Sequence, residues 1–162
     1  MNTIEMPKEV NRDTQLKNIV YTAKTHTTGG RDGGSSRTSD GRLDVKFSIP
    51  GGPGNGTNPE QLFAAGWSGC FTSAIRIVAS KMKVKLPADW AVDAEVDLCT
   101  GGDGFSLQAR LNVNLPGVDR QAAQAILDGA HQTCPYSKAI RGNINVEVNL
   151  VRTRPAAADW SR

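Results

Sequence analysis

The sequence predicts an α+β fold in which antiparallel strands pack on one central, buried helix. Three observations predict it. The stretch 57–82, TNPEQLFAAGWSGCFTSAIRIVASKM, carries apolar residues on most sides of a helical pattern, which suits a central helix better than a surface one. Two runs of period two flank a Gly-Gly-Asp-Gly turn at 101–104, the pattern of a β-hairpin. The order strand, strand, helix, hairpin, helix, strand has too few β–α–β alternations for a doubly wound sheet.

Composition bounds the reading. The chain has 162 residues, 38% hydrophobic and 22% charged, as expected of one globular domain with a sizeable core. That domain is expected over 19–151, between a loose arm at 1–18 and a tail at 152–162. No run approaches the uninterrupted apolar length of a membrane span, and the first residues lack the apolar core of a signal peptide. A cytoplasmic protein without membrane contact is expected. The net charge of +3 is mild, and the basic residues are dispersed without interleaved aromatics, so no nucleic-acid partner is expected. Three cysteines, an odd count, argue against a disulfide scaffold and for thiol chemistry or buried structural thiols.

The elements follow in order. Residues 20–27 are β-branched and aromatic enough for a strand. Residues 29–36, GGRDGGSS, read as a flexible loop holding Arg31 and Asp32; the glycines form no phosphate-binding fingerprint. Leu43, Val45 and Phe47 alternate with polar residues as in a half-buried strand. Asn58 suits an N-cap, Pro59 the first helical position, and Gln61 the capping-box spacing. Gly66 and Gly69 each cost roughly 1 kcal/mol against Ala inside a helix. The expected return is close approach of another backbone or a ligand beside Cys70. Val92, Ala94, Val96 and Leu98, then Phe105, Leu107, Ala109, Leu111 and Val113, form the hairpin. Asp119 caps a helix over 120–133 with Ala122, Ala125, Ile126 and Ala130 inward. Cys134 ends it, because Pro135 disfavours helical geometry in the residue before it. Residues 136–141 suggest a short turn, and Ile144, Val146, Val148 and Leu150 a last strand.

Read from the residues alone, Cys70 is either an inert small hydrophobe or a nucleophile. Cys134, at a helix end before proline, is positioned to meet Cys70 if the second helix packs on the first. Cys99, at the hairpin turn, reads as a spectator.

Four motifs carry a resemblance. TGGRDG at 28–33, GTNPEQLFAAGWSGCF at 56–71, LPGVDR at 115–120 and HQTCPYSKAIRGNI at 131–144 resemble the OsmC/Ohr family, in particular its organic hydroperoxide resistance branch. The similarity runs from about residue 20 to 151. It implies an OsmC-like fold in an intertwined homodimer and a thiol peroxidase that reduces organic hydroperoxides to alcohols. It further implies Cys70 as the peroxidatic thiolate, Cys134 as the resolving thiol, and Arg31 and Glu60 as the activating pair. The implied reductant is external, dihydrolipoamide on a lipoylated protein, with no bound cofactor or metal. Trp67 stands where tyrosine is common in the family and Gly69 where alanine is. The nearest alternative is an OsmC-type peroxidase of broader peroxide preference, and the non-enzymatic one a thiol-containing dimeric binding protein. A cysteine hydrolase pairing Cys70 with His131 is disfavoured, because no oxyanion-loop motif surrounds Cys70.

The chemistry explains the residue types. A free thiol has a pKa of about 8.5, so at neutral pH most of it is protonated and weakly nucleophilic. Cys70 lies too far into its helix for the N-terminal dipole, which fades within a turn. A guanidinium, always charged and rich in donors, lowers a neighbouring thiol's pKa, and Glu60 would orient and balance it. Glu60 and Cys70 are ten residues apart, about 15 Å along a straight helix. Either the helix breaks near Gly66 or Arg31 and Glu60 act on the Cys70 of another copy; the second is favoured. Phe47, Phe63, Trp67 and Phe71 are expected either to line an apolar entrance suited to alkyl or fatty-acid hydroperoxides or to pack as ordinary core.

Overall fold

The computed structural model describes residues 18–152. The structure comprises β1 (Thr25–Thr28), β2 (Ser35–Thr38), β3 (Asp44–Lys46), α1 (Pro59–Lys81), β4 (Ala91–Gly101), β5 (Gly104–Asn114), α2 (Arg120–Thr133), α3 (Pro135–Ile140) and β6 (Asn145–Val151). Residues 1–17 of the expected arm and 153–162 of the expected tail lie outside the described residues.

Two small sheets result. β1, β2 and β3 form an antiparallel meander. β4 and β5 form the expected hairpin, in register from Ala91↔Asn114 to Gly101↔Gly104. β6 joins β5 in parallel, Gln108 facing Asn145 and Asn114 facing Val151, where an antiparallel partner was expected. The reason lies in the connection. α2 and α3 separate β5 from β6 and supply the long crossover that a parallel pair requires. The first strand is shorter than expected, with Val20 and Tyr21 97% and 77% exposed ahead of it. β2 falls partly on the stretch read as loop. Its sequence, SSRT, has no apolar alternation, and it is held by backbone pairing to both neighbours.

α1 runs unbroken through Gly66 for 23 residues. The Asn58 side chain caps it, accepting from the Gln61 amide at 2.9 Å, worth about 1 kcal/mol. By length and composition alone the helix would suffice to cross a membrane. Here one stripe of it, Trp67, Phe71, Ala74, Ile75 and Ala79, packs into the core, against β4 and α2. Its other face, with Gln61, Ala65, Gly69, Ser73 and Ile77 at intervals of four, is exposed in the single chain. The buried face of α2 is Ala123, Ile126, Leu127 and Ala130, a regular helical stripe, whereas Ala125 points to solvent. Each large side chain so buried contributes about 1.5–3 kcal/mol. Truncating Leu111, which is fully buried on β5, should lower the unfolding free energy by about 2–5 kcal/mol. Denaturant unfolding of Leu111→Ala measures this, and a loss well below that range would contradict the core described.

Candidate active site

Two separate polar constructions stand on this frame. The first is a pair of thiols. Pro135 forces Cys134 out of helical geometry, to φ −61° and ψ 124°, so that it ends α2 and begins α3. Its amide still donates to the Ala130 carbonyl at 2.8 Å, which fixes the elbow. The fully buried Cys134 sulfur then faces α1, 3.4 Å from the sulfur of half-buried Cys70. Both cysteines are free thiols.

Burial pushes the Cys70 thiol above its ordinary pKa; the backbone amide of Tyr136, donating to the sulfur, opposes the rise, and Cys134 adds to it. Within one chain no cation among the described residues corrects this. Among the described residues Arg31 makes no hydrogen bond to Cys70 and is not among the groups that shift it.

The second construction is an ion pair. Arg31 sits in the turn between β1 and β2. The turn is tied to β3 by Gly33 and Phe47, whose amides donate to the Phe47 and Gly34 carbonyls at 3.2 and 2.8 Å. β3 in turn meets the entry to α1, where the Thr57 amide donates to the Lys46 carbonyl at 2.9 Å. The loop read as flexible is therefore anchored at the helix start, and Arg31 donates through both terminal nitrogens to Glu60, at 2.8 and 3.3 Å. The guanidinium holds the Glu60 carboxyl below the usual range against the opposing cost of burial.

The pair borders a largely apolar cavity of about 560 Å³, also lined by Ile49, Pro50, Ala64, Ala94, Val96 and Leu98. Cys70 does not line it, nor do the four aromatic residues suggested for an entrance. Phe47, Trp67 and Phe71 are buried and Phe63 is half-buried beside the core. The glycines of α1 also differ from expectation. A Cβ on Gly66 would come within 2.9 Å of the Tyr136 hydroxyl, whereas one on Gly69 would meet nothing within 4 Å. The close approach is thus a tyrosine side chain, not a backbone. His131 makes no hydrogen bond to either thiol. Its Nδ1 is buried without a partner, and burial keeps its pKa below the ordinary value. Sequence reasoning did not single out the Tyr136 amide, Ser137 or the cavity wall on β4. The run Cys-Pro-Tyr-Ser held a signal for the first two, because a proline at the first helical position presents the following amides at a helix start.

The OsmC-like protein family model matches residues 52–149. The chain belongs to the OsmC/Ohr family. The organic hydroperoxide resistance protein of Xanthomonas axonopodis pv. citri is 45% identical over 136 residues, 82% of this chain and 95% of that one. The crystal structure of the organic hydroperoxide resistance protein OhrB of Bacillus subtilis superposes with a TM-score of 0.77 at 38% identity, covering 82% of this chain and all of that one. A Legionella pneumophila organic hydroperoxide resistance protein gives 0.76 at 42% identity, with 82% and 98% covered. The family is thus represented by proteins named for resistance to organic hydroperoxides, and its fold is the one described above.

Anchoring of the Arg31 loop can be tested directly. A Cβ on Gly34 would collide with the backbone oxygens of Thr28 and Gly30, and neither can yield without moving the turn. Gly34→Ala should separate Arg31 from Glu60 and raise the Glu60 pKa toward its ordinary value. The sign of the linkage follows. The depressed carboxylate contributes stability that is whole above the unfolded value and lost as pH falls through the lower folded one. Carboxyl-resolved NMR titration measures the shift, and an unchanged Glu60 titration in Gly34→Ala would contradict the anchoring.

Proposed function

We propose that the protein is a thiol-dependent peroxidase that reduces organic hydroperoxides to alcohols. The observation that carries this reading is the pair of free sulfurs 3.4 Å apart, one buried and one half-buried, in a family whose relatives are named for organic hydroperoxide resistance. The Cys70 thiolate attacks one peroxide oxygen and the O–O bond breaks. The alkoxide leaves and takes a proton to become the alcohol. Cys70 becomes a sulfenic acid. The Cys134 sulfur then attacks the Cys70 sulfur, water leaves, and a disulfide forms. An external dithiol of the dihydrolipoamide type returns both thiols.

Attack needs the thiolate, and burial works against it. In this reading the missing cation is Arg31 of a second copy. α1 is continuous through Gly66, so Glu60 and its bound arginine stand about 15 Å from the Cys70 of their own helix. The exposed face of α1, and the 42% and 75% exposure of Leu98 and Phe105 on the hairpin, give a second copy apolar surface to cover. The assembly is then a homodimer with both copies contributing to each site. The cavity beside Arg31 receives the organic part of the substrate, which favours alkyl and fatty-acid hydroperoxides over hydrogen peroxide.

Peroxide consumption with dihydrolipoamide tests the reading. Cys70→Ser should abolish turnover. Without dithiol, wild type should consume about one equivalent of peroxide and stop at the disulfide, whereas Cys134→Ser should consume about two, because its sulfenic acid has no thiol partner and goes on to sulfinic acid. Turnover by Cys70→Ser would refute the assignment. Arg31→Ala should shift the rate–pH profile to higher pH, since removing the cation raises the thiol pKa and each unit costs about tenfold in thiolate at neutral pH. An unshifted profile would remove Arg31 from thiolate activation.

A further inference from the structure

Cys134 is held on one side by α2, whose Ala130 carbonyl accepts its amide, and on the other by α3, which at six residues is too short to hold an orientation by its own hydrogen bonds. The ties of α3 to the rest of the chain therefore share in deciding where the thiol sits. One of them is a buried polar bond. The Trp67 indole N–H donates to the Ser137 hydroxyl at 3.2 Å, and both residues are fully buried. Ser137 stands at the third position of α3, where a polar side chain often turns back to its own helix start. Here no side chain caps α3, and the hydroxyl reaches across to α1 instead.

The spacing makes this bond more than packing. Trp67 is three residues before Cys70 on α1, and Ser137 is three residues after Cys134. The two helices are thus joined by two adjacent rungs, one turn apart: indole to hydroxyl, and sulfur to sulfur. Phe63 meets Trp67 and Tyr136 edge-on, with centroids 5.8 and 6.2 Å away, and clamps the first rung. The second rung must change during turnover. The sulfurs stand 3.4 Å apart and must close to about 2.05 Å in a disulfide.

We propose that the Trp67–Ser137 hydrogen bond is a strut that sets Cys134 at disulfide-forming distance from Cys70, which makes Trp67 and Ser137 positioning residues for the resolving step. The inference rests on the peroxidase reading above for its place in the reaction. Two fates compete for the Cys70 sulfenic acid. Attack by the Cys134 sulfur releases water and forms the disulfide. Attack on a second hydroperoxide breaks another O–O bond, releases another alcohol and leaves a sulfinic acid that dithiols do not reduce. The first fate depends on geometry, and a misplacement of about 1 Å can cost two orders of magnitude in an intramolecular step. The second does not involve Cys134 at all. The strut accordingly governs the partition between disulfide and over-oxidation, and reaches the first attack on peroxide only through the Tyr136 amide of the same short helix, which donates to Cys70.

The test uses the full chain, reduced and mixed with excess tert-butyl hydroperoxide, with products separated by intact mass. The variants are Ser137→Ala, Trp67→Phe, their double and Ser137→Thr, which keeps the hydroxyl; thermal melts establish that each is folded. Ser137→Ala and Trp67→Phe should each raise the sulfinate-to-disulfide ratio by about threefold or more. The double should do no more than the larger single, Ser137→Thr should stay near wild type, and the rate of the first oxidation should change less than the sulfinate-to-disulfide ratio. A second readout needs no peroxide: equilibration of the dithiol with a reduced and oxidised glutathione buffer, in which Ser137→Ala should hold less Cys70–Cys134 disulfide than wild type. If wild type ignores peroxide while Ser137→Ala still lowers that equilibrium, the peroxidase reading falls and the strut stands. If wild type reacts and neither readout moves in Ser137→Ala, or the single effects add in the double, the strut is refuted.

Discussion

The structure depends on one contact, the meeting of two sulfurs where α1 crosses the elbow between α2 and α3. Nearly every local choice around it serves that meeting. Pro135 stops one helix and starts another, so that the intervening cysteine faces inward. Gly66 leaves room for the Tyr136 hydroxyl, which lets α3 lie close to α1. The buried stripe of α1 from Trp67 to Ala79 and the stripe of α2 from Ala123 to Ala130 bring the two helices together. A sulfur pair at 3.4 Å is the product of those choices. It places the two thiols where a sulfenic acid on one can be met by the other.

A thiol held in such a setting is poorly ionised, because burial disfavours the charged form. The chain contains a strong permanent cation, but spends its hydrogen bonds on Glu60 at the far end of the same helix. Holding the guanidinium in a pair keeps it oriented while the carboxylate stays ionised. The separation along a continuous helix then makes a single chain chemically incomplete in the proposed reading: nucleophile at one place, activator at another. A second copy joining the two would also cover the open face of α1. One association would answer both the electrostatic and the hydrophobic deficit.

Much of this was legible in the sequence, and the reason is periodicity. The hairpin alternates faithfully through β4 and β5, and both long helices carry caps that the structure uses, Asn58 and Asp119. The four motifs gave the family, and with it attention to Cys70, Cys134, Arg31 and Glu60. What was not legible depends on tertiary context. β2 has no apolar pattern and exists because its backbone has partners on both sides. The parallel pairing of β6 is a property of the crossover, not of the strand, whose alternation would suit either direction. Ala125 follows the loose helical period but lies off the stripe that Leu127 defines. Phe47, Trp67 and Phe71 are apolar, the last two beside Cys70 in sequence, yet all three are buried, while the cavity wall comes from β4 and from the approach to α1. Distance along the chain does not say which apolar residues turn inward and which border open space.

The central claim of the proposed reading is that the half-buried Cys70 thiol of one copy is activated by the Arg31 guanidinium of another. Mixing Cys70→Ser chains with Arg31→Ala chains under conditions that exchange subunits tests it most directly, with peroxide consumption as the measurement. Neither variant alone should turn over at the wild-type rate at neutral pH. The account predicts that the mixture regains activity, because each mixed dimer assembles one site with Cys70 from one chain and Arg31 from the other. A mixture no more active than the sum of its two components, with subunit exchange demonstrated, would contradict it.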